Sequence, residues 1–283
     1  MSATRRHSVF LPANQVWLHA AVWRGPGQEL PPLLVLHGIW ESWRTFAPLA
    51  GALAGHRAVY CLDLRGHGLS DRPDRGYRFT DYAADVLALV DGLSSRFGET
   101  DLLGHSLGAN VALYAAAEGH PALGRVVVVD PPILLDDDWA AVRADMRRSW
   151  ELARAPLADI VADLGRGSRR DPTWLRMIAA ALSDTADGVF AAMVEGEQGA
   201  VDWPSLLAPV TAPVLAVAPD PTVPGGLLVG DRLAVFHRSL PHAEITRITG
   251  AGHHVEVDRP DELRCAVDRF LSADRPGRLS GAA

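Results

Sequence analysis

The chain contains no lysine: all 27 of its basic residues are arginine. That absence excludes every chemistry built on a lysine amine, including Schiff bases, a pyridoxal-phosphate anchor, a phosphate-binding P-loop and a Ser-x-x-Lys pair. Cysteine is almost as scarce. Cys61 and Cys265 are the only two among 283 residues, too few and too far apart for a disulfide framework or a zinc site. Each lies in an apolar context, so both are expected to be buried small hydrophobes in a reducing compartment. No apolar run approaches the 18 or so residues that a membrane span needs. Met1–Phe10 carries Arg5 and Arg6, but no apolar segment or small-residue cleavage site follows, so no signal peptide is expected and the protein is read as cytoplasmic. The 34 acidic residues outnumber the basic ones, giving a net charge of −7. With no basic block, nucleic-acid binding is not expected.

Hydrophobic residues make up 48% of the chain, enough to bury one sizeable core. The first half alternates short apolar runs with helical periodicity. His7–Leu11 and Val16–Trp23 read as an antiparallel pair around Pro12-Ala13-Asn14. Pro32–Leu36, Arg57–Asp63, Thr100–Leu103 and Arg125–Val129 read as strands buried on both faces. Between them, Trp43–Leu53, Asp81–Leu93 and Ser106–Glu118 read as helices. Strands alternating with helices imply parallel βαβ units. The rhythm breaks after Pro132: Trp139–Arg154, Leu157–Leu164 and Thr173–Glu195 read as helices with no strand among them. It resumes with strands at Ala212–Ala218 and Glu244–Ile248, then a helix at Asp261–Phe270. The tail from Ser272 is expected to fray. The expected organisation is an α/β core, residues 1–134 and 208–283, interrupted by a helical cap, residues 135–207.

Gly104-His105-Ser106-Leu107-Gly108 fits G-x-S-x-G between a short strand and an Ala-rich helix, the context that gives the pattern meaning. A tight strand-to-helix turn strains the backbone and tolerates only small neighbours, which Gly104, Gly108 and Ala109 supply. It lifts the Ser106 hydroxyl clear of the sheet and sets the Leu107 N–H at a helix N-terminus. Serine needs a base. His253, in Gly250-Ala251-Gly252-His253-His254, is the expected one, because glycines free that loop to carry an imidazole across. The base needs an orienting acid. Asp220 follows the strand ending at Ala218 and is favoured; Asp130, at the end of the preceding strand, is the rival. The chain order Ser106…Asp220…His253 is the one this architecture uses. The Ile39 N–H, in the loop His37-Gly38-Ile39-Trp40, is expected to join that of Leu107 as an oxyanion donor. His105 is expected to pack or hydrogen-bond beside the serine. It is grouped with Trp40, Trp139, Met146 and Trp150 as the expected substrate-binding residues. Asp63, Arg65 and His67 are expected to tie their own loop together. Zinc-binding sequence patterns are absent, so no metal and no cofactor are expected.

Together these segments resemble the α/β-hydrolase superfamily over almost the whole chain. His37-Gly38 looks like the oxyanion loop, Asp63-Leu64-Arg65-Gly66-His67-Gly68-Leu69-Ser70 like the loop after the next strand, and Gly104–Gly108 like the nucleophile elbow. Asp220-Pro221-Thr222-Val223-Pro224 looks like the acid segment and Gly252-His253 like the histidine loop. In one respect the chain departs from relatives, which often carry Gly-x-x-Asp before the acid; here Ala218-Pro219-Asp220 stands instead. The resemblance implies a mostly parallel eight-stranded sheet flanked by helices, with a helical cap over the site. The serine at position 106 argues against epoxide hydrolases and haloalkane dehalogenases, which use aspartate there. The expected function is acyl transfer to water from a hydrophobic ester or lactone. The alternatives are a carbon–carbon bond hydrolase of a vinylogous keto acid, a cofactor-free perhydrolase or haloperoxidase, and a ligand-binding receptor on a hydrolase fold. The expected partner is a small-molecule substrate, with no nucleic acid and no membrane; a homodimer is allowed.

Overall fold

The computed structural model describes residues 5–25, 29–196 and 198–273. Eight strands form one sheet: β1 (Arg5–Pro12), β2 (Trp17–Arg24), β3 (Leu33–Leu36), β4 (Val59–Leu62), β5 (Thr100–His105), β6 (Leu123–Val129), β7 (Val214–Ala218) and β8 (Glu244–Arg247). Their order is β1-β2-β4-β3-β5-β6-β7-β8. Only β2 runs against its neighbours; every pairing from β4 to β8 is parallel. The fold is therefore that of an α/β hydrolase, as the motifs imply.

The central strands β3, β4, β6 and β7 are largely apolar because both faces are covered. Successive side chains point to opposite faces. Leu34, Leu36, Leu102, Val126, Val128 and Ala216 enter one core, while Leu33, Val35, Leu103, Val127, Val129 and Leu215 enter the other. Helices α1 (Ala47–Leu53), α2 (Phe79–Phe97) and α3 (Leu107–Ala117) come first. Four more, α4 (Asp138–Ala153), α5 (Leu157–Leu164), α6 (Pro172–Ser183) and α7 (Asp187–Val194), lie between β6 and β7, followed by α8 (Trp203–Leu207). The chain ends with α9 (Gly230–Ser239), α10 (Val255–Asp258) and α11 (Pro260–Ser272). The first core is lined by α2 and α3 through residues such as Val86 and Val111. The second is closed by α1 and α11 through Leu49, Leu53, Leu263 and Val267. Among the described residues no single helix is long and apolar enough to cross a membrane.

Three expectations are corrected. The helix expected over Thr173–Glu195 is two helices, α6 and α7, bent by 81°. The break lets the Ala186 N–H reach the Gly66 carbonyl at 2.8 Å, so a tertiary contact overrides continuous helical periodicity. Helix α9 had no counterpart in the sequence reading; only Phe236 and Ser239 are buried along it, which leaves a weak apolar stripe. Cys265 is exposed on α11, whereas Cys61 is buried. Burial pushes the Cys61 thiol far above its usual range. A thiol reagent is accordingly expected to modify one cysteine per native chain and two in denaturant, as counted by intact-mass spectrometry. The end of the expected frayed tail, residues 274–283, lies outside the described residues.

Candidate active site

The turn from β5 into α3 carries Ser106 with φ 50° and ψ −115°, a left-handed conformation that a side-chain-bearing residue adopts only when its surroundings enforce it. Two glycines make it sterically feasible. A Cβ on Gly104 would lie 2.1 Å from the Gly108 carbonyl oxygen, and one on Gly108 would lie 2.3 Å from the Leu36 carbonyl oxygen. Gly108→Ala is therefore expected to cost about 3 kcal/mol or more, measured as a drop in stability by denaturant titration. The Gly108 N–H donates to the His37 carbonyl at 3.2 Å, which draws the loop after β3 across the start of α3. Leu107 is the first residue of that helix, so its N–H is not consumed by an intrahelical bond. Ile39 follows in the same crossing loop, and Trp40 beyond it has φ 62°.

His37 braces this loop from below. Its Nε2 accepts the Leu64 N–H at 3.0 Å, and its Nδ1 donates to the Gly38 carbonyl at 2.7 Å. Those two bonds use one tautomer of a neutral ring, and burial pushes the ring below its usual pKa. The neighbouring loop is tied by Asp63, which accepts from His19 Nδ1 at 2.8 Å and from the Trp43 and Leu69 N–H groups. A Cβ on Gly68 would lie 2.3 Å from that carboxyl carbon. Arg65 grips Asp85 through two bonds of 2.6 and 2.5 Å, and His67 Nδ1 bonds the Arg65 carbonyl.

His253 reaches the nucleophile turn from the loop after β8. The His105 Nε2–H donates to the His253 carbonyl at 3.0 Å, and the two rings stand 4.7 Å apart. On its other side, His253 Nδ1 donates to Asp130 Oδ2 at 2.6 Å. That bond fixes the tautomer and leaves Nε2 as the free acceptor. Burial lowers the His253 pKa and Asp130 opposes it; the net direction is downward.

Asp220, the favoured acid, is not on His253. Its Oδ1 accepts from the Thr222 N–H at 2.9 Å and the Thr222 hydroxyl at 2.7 Å, and its Oδ2 accepts from the Gly250 N–H at 2.8 Å. These bonds, led by that from Gly250, hold its carboxyl at about 2. The carboxylate is spent closing its own turn and tethering the base of the histidine loop. Asp130, fully buried at the end of β6, takes its place. Besides His253 it accepts from the Leu227 N–H at 3.0 Å and the Leu228 N–H at 2.6 Å.

Among the expected substrate-binding residues, Trp139 and Met146 pack with Leu134 and Met193 against Ile39 and Trp40. Trp150 lies one ring further out: Phe190 stacks on Trp40 at 6.3 Å and on Trp150 at 6.1 Å. The Trp150 Nε1–H donates to Asp187 at 2.5 Å. His105 is completely buried. Around it lie three residues that the sequence reading did not single out as a group. Its Nδ1 stands 3.3 Å from Glu41 Oε1, and His254 Nδ1 stands 3.4 Å from that same oxygen and 3.1 Å from Glu256 Oε1. Burial alone would lower the His105 pKa; Glu256 and Glu41 outweigh it and raise it to about 10. Glu41 moves the other way, below the usual carboxylate range: burial would raise it, but His105 dominates. The four residues come from three separate segments, so no local spacing announces them.

The family model described as "Alpha/beta hydrolase family" matches residues 33–264. A 2-(acetamidomethylene)succinate hydrolase from Mesorhizobium japonicum is 31% identical over 261 residues, covering 86% of this chain and 88% of its own length. The crystal structure of an E-2-(acetamidomethylene)succinate hydrolase superposes with a TM-score of 0.79 at 27% identity, covering 95% of this chain and 100% of that one. An enol-lactonase from Burkholderia xenovorans shares the fold, with a TM-score of 0.75 at 20% identity over 93% of this chain and 99% of its own. The elbow, the flanking loops, the sheet order and these matches converge: the chain belongs to the alpha/beta hydrolase family and is a hydrolase.

Proposed function

We propose that the protein is a cytoplasmic serine hydrolase cleaving a small-to-medium hydrophobic carboxylic ester or lactone through an acyl-enzyme. The observation that carries this reading is the 2.6 Å His253–Asp130 bond on a loop fastened to the turn that bears a left-handed Ser106. Ser106 attacks the carbonyl while His253 Nε2 takes its proton. Asp130 holds the ring and stabilises the imidazolium. The Ile39 and Leu107 N–H groups receive the oxyanion, a contribution worth about 2.7–4 kcal/mol per donor. His253 then protonates the leaving group and activates the water that releases the acid.

Helices α4–α7 act as the cap, within residues 135–207, over the core formed by 1–134 and 208–283. The apolar character of the substrate follows from Ile39, Trp40, Leu134, Trp139, Met146 and Met193, which cluster together. Two cysteines without a disulfide suit the reducing cytoplasm. A second reading, hydrolysis of an acylamino dicarboxylate, draws on the name of the 31% identical relative.

Fluorophosphonate labelling followed by a panel of p-nitrophenyl esters, lactones and 2-(acetamidomethylene)succinate tests both readings. Label on Ser106 with turnover of esters or lactones supports the first. Turnover of the dicarboxylate alone selects the second. No label and no turnover by well-folded protein would leave a binding role in place of catalysis.

A further inference from the structure

Glu41, His105, His254 and Glu256 each offer one ligand-type atom, and all four atoms lie within 4.8 Å of one another. They sit behind the catalytic histidine, and hydrolysis as described above uses none of them. The arrangement leaves polar atoms without hydrogen-bond partners among the described residues. His105 Nδ1 and Glu256 Oε2 are buried and make no hydrogen bond. Burying a polar atom unpaired costs about 1–3 kcal/mol.

We propose that these four side chains bind a single divalent cation of the zinc type in a closed, four-coordinate structural site. Two imidazoles and two carboxylates form a donor set that zinc accepts. A tetrahedral ion with bonds of about 2.0–2.1 Å separates its ligands by about 3.3 Å; three of the edges measure 3.1, 3.3 and 3.4 Å, and the others lie within 4.8 Å, so binding draws the wider ligands inward. The surroundings agree as well. A ligating histidine ordinarily donates its second ring N–H to a carbonyl or carboxylate, and ligating carboxylates are themselves hydrogen-bonded. His105 Nε2–H donates to the His253 carbonyl at 3.0 Å, and Glu41 Oε2 accepts the Gly38 N–H at 3.1 Å. Two carboxylates balance the charge of a dication, and the imidazoles bind neutral, so loading releases any proton held on either Nδ1.

An ion here would join three segments: the loop after β3 through Glu41, the end of β5 through His105, and the histidine loop through His254 and Glu256. With four protein ligands it keeps no open position for a reactive water, so its work is mechanical. The clamp does not depend on the acyl-enzyme reading. Glu256 also borders a cavity of about 150 Å³ beside Thr45, Leu49 and Pro260, which offers an approach from the α1–α11 side.

The test uses the full chain, stripped with EDTA, dialysed and titrated with Co²⁺ and then with Zn²⁺. Expected are about one ion per chain, the strong visible bands of four-coordinate cobalt, bleaching of those bands by zinc, and a rise in Tm of about 5 °C or more. The isosteric variants Glu41→Gln and Glu256→Gln, checked for native circular dichroism, are expected to bind cobalt at least about tenfold more weakly and to lose the Tm rise. Weak six-coordinate bands or no bands in the unaltered chain would overturn the site, whether or not the variants fold. Binding and Tm response that both variants retain would overturn it equally, since the ion would then be on surface histidines.

Discussion

Ser106→Ala is expected to lower kcat by a factor of roughly 10⁴–10⁶ on any substrate the enzyme turns over. The variant should fold normally, because the strain at position 106 is borne by the backbone (φ 50°) and alanine adds no atom to the turn. Steady-state kinetics on the best ester of the panel, with active-site labelling as a control, measures the effect. Residual activity within tenfold of the unaltered enzyme would remove the hydroxyl from the chemistry. KM should change little, since the hydroxyl acts on the transition state rather than holding the bound substrate.

Asp130→Asn is expected to lower kcat by about 10⁴, while Asp220→Asn should lower it by less than about tenfold. The contrast follows from where the two carboxylates point. An amide at position 130 faces His253 Nδ1, now 2.6 Å from Asp130 Oδ2. It either offers a weaker acceptor or turns its NH₂ toward the ring and favours the wrong tautomer. An amide at position 220 weakens bonds to Thr222 and Gly250, which lowers Tm without touching the imidazole. Parallel kinetics and melting curves on both variants decide the matter. A larger kcat loss at 220 would restore Asp220 as the acid.

The turn at Ser106 was legible because its glycines are demanded by local geometry: a Cβ at 104 or 108 collides with backbone at 2.1 or 2.3 Å. The sheet was legible for a related reason. Strands covered on both faces must be apolar at every position, and runs such as Val126–Val129 advertise it. The acid was not decided by such a rule. Asp130 and Asp220 both end parallel strands, and the difference lies in the direction each carboxylate turns. One local sign was available: Thr222 stands two residues after Asp220, the spacing of an Asx turn that occupies the carboxylate. The four-residue cluster behind His253 left no trace, since Glu41, His105 and the 254–256 pair meet only after the sheet has assembled. The bend between α6 and α7 was hidden similarly, because the contact it serves is with a carbonyl at Gly66, far off in the chain.

Among the described residues, the ordering of the sheet leaves β1 and β8 with unpaired flanks. An open flank is a template on which another molecule can add a strand, and natural proteins guard such borders with charge. Here Arg5, Arg6 and His7 open the first and Glu244 and Arg247 bracket the second, all of them exposed. Lateral growth into a continuous ribbon would have to desolvate those ionic groups.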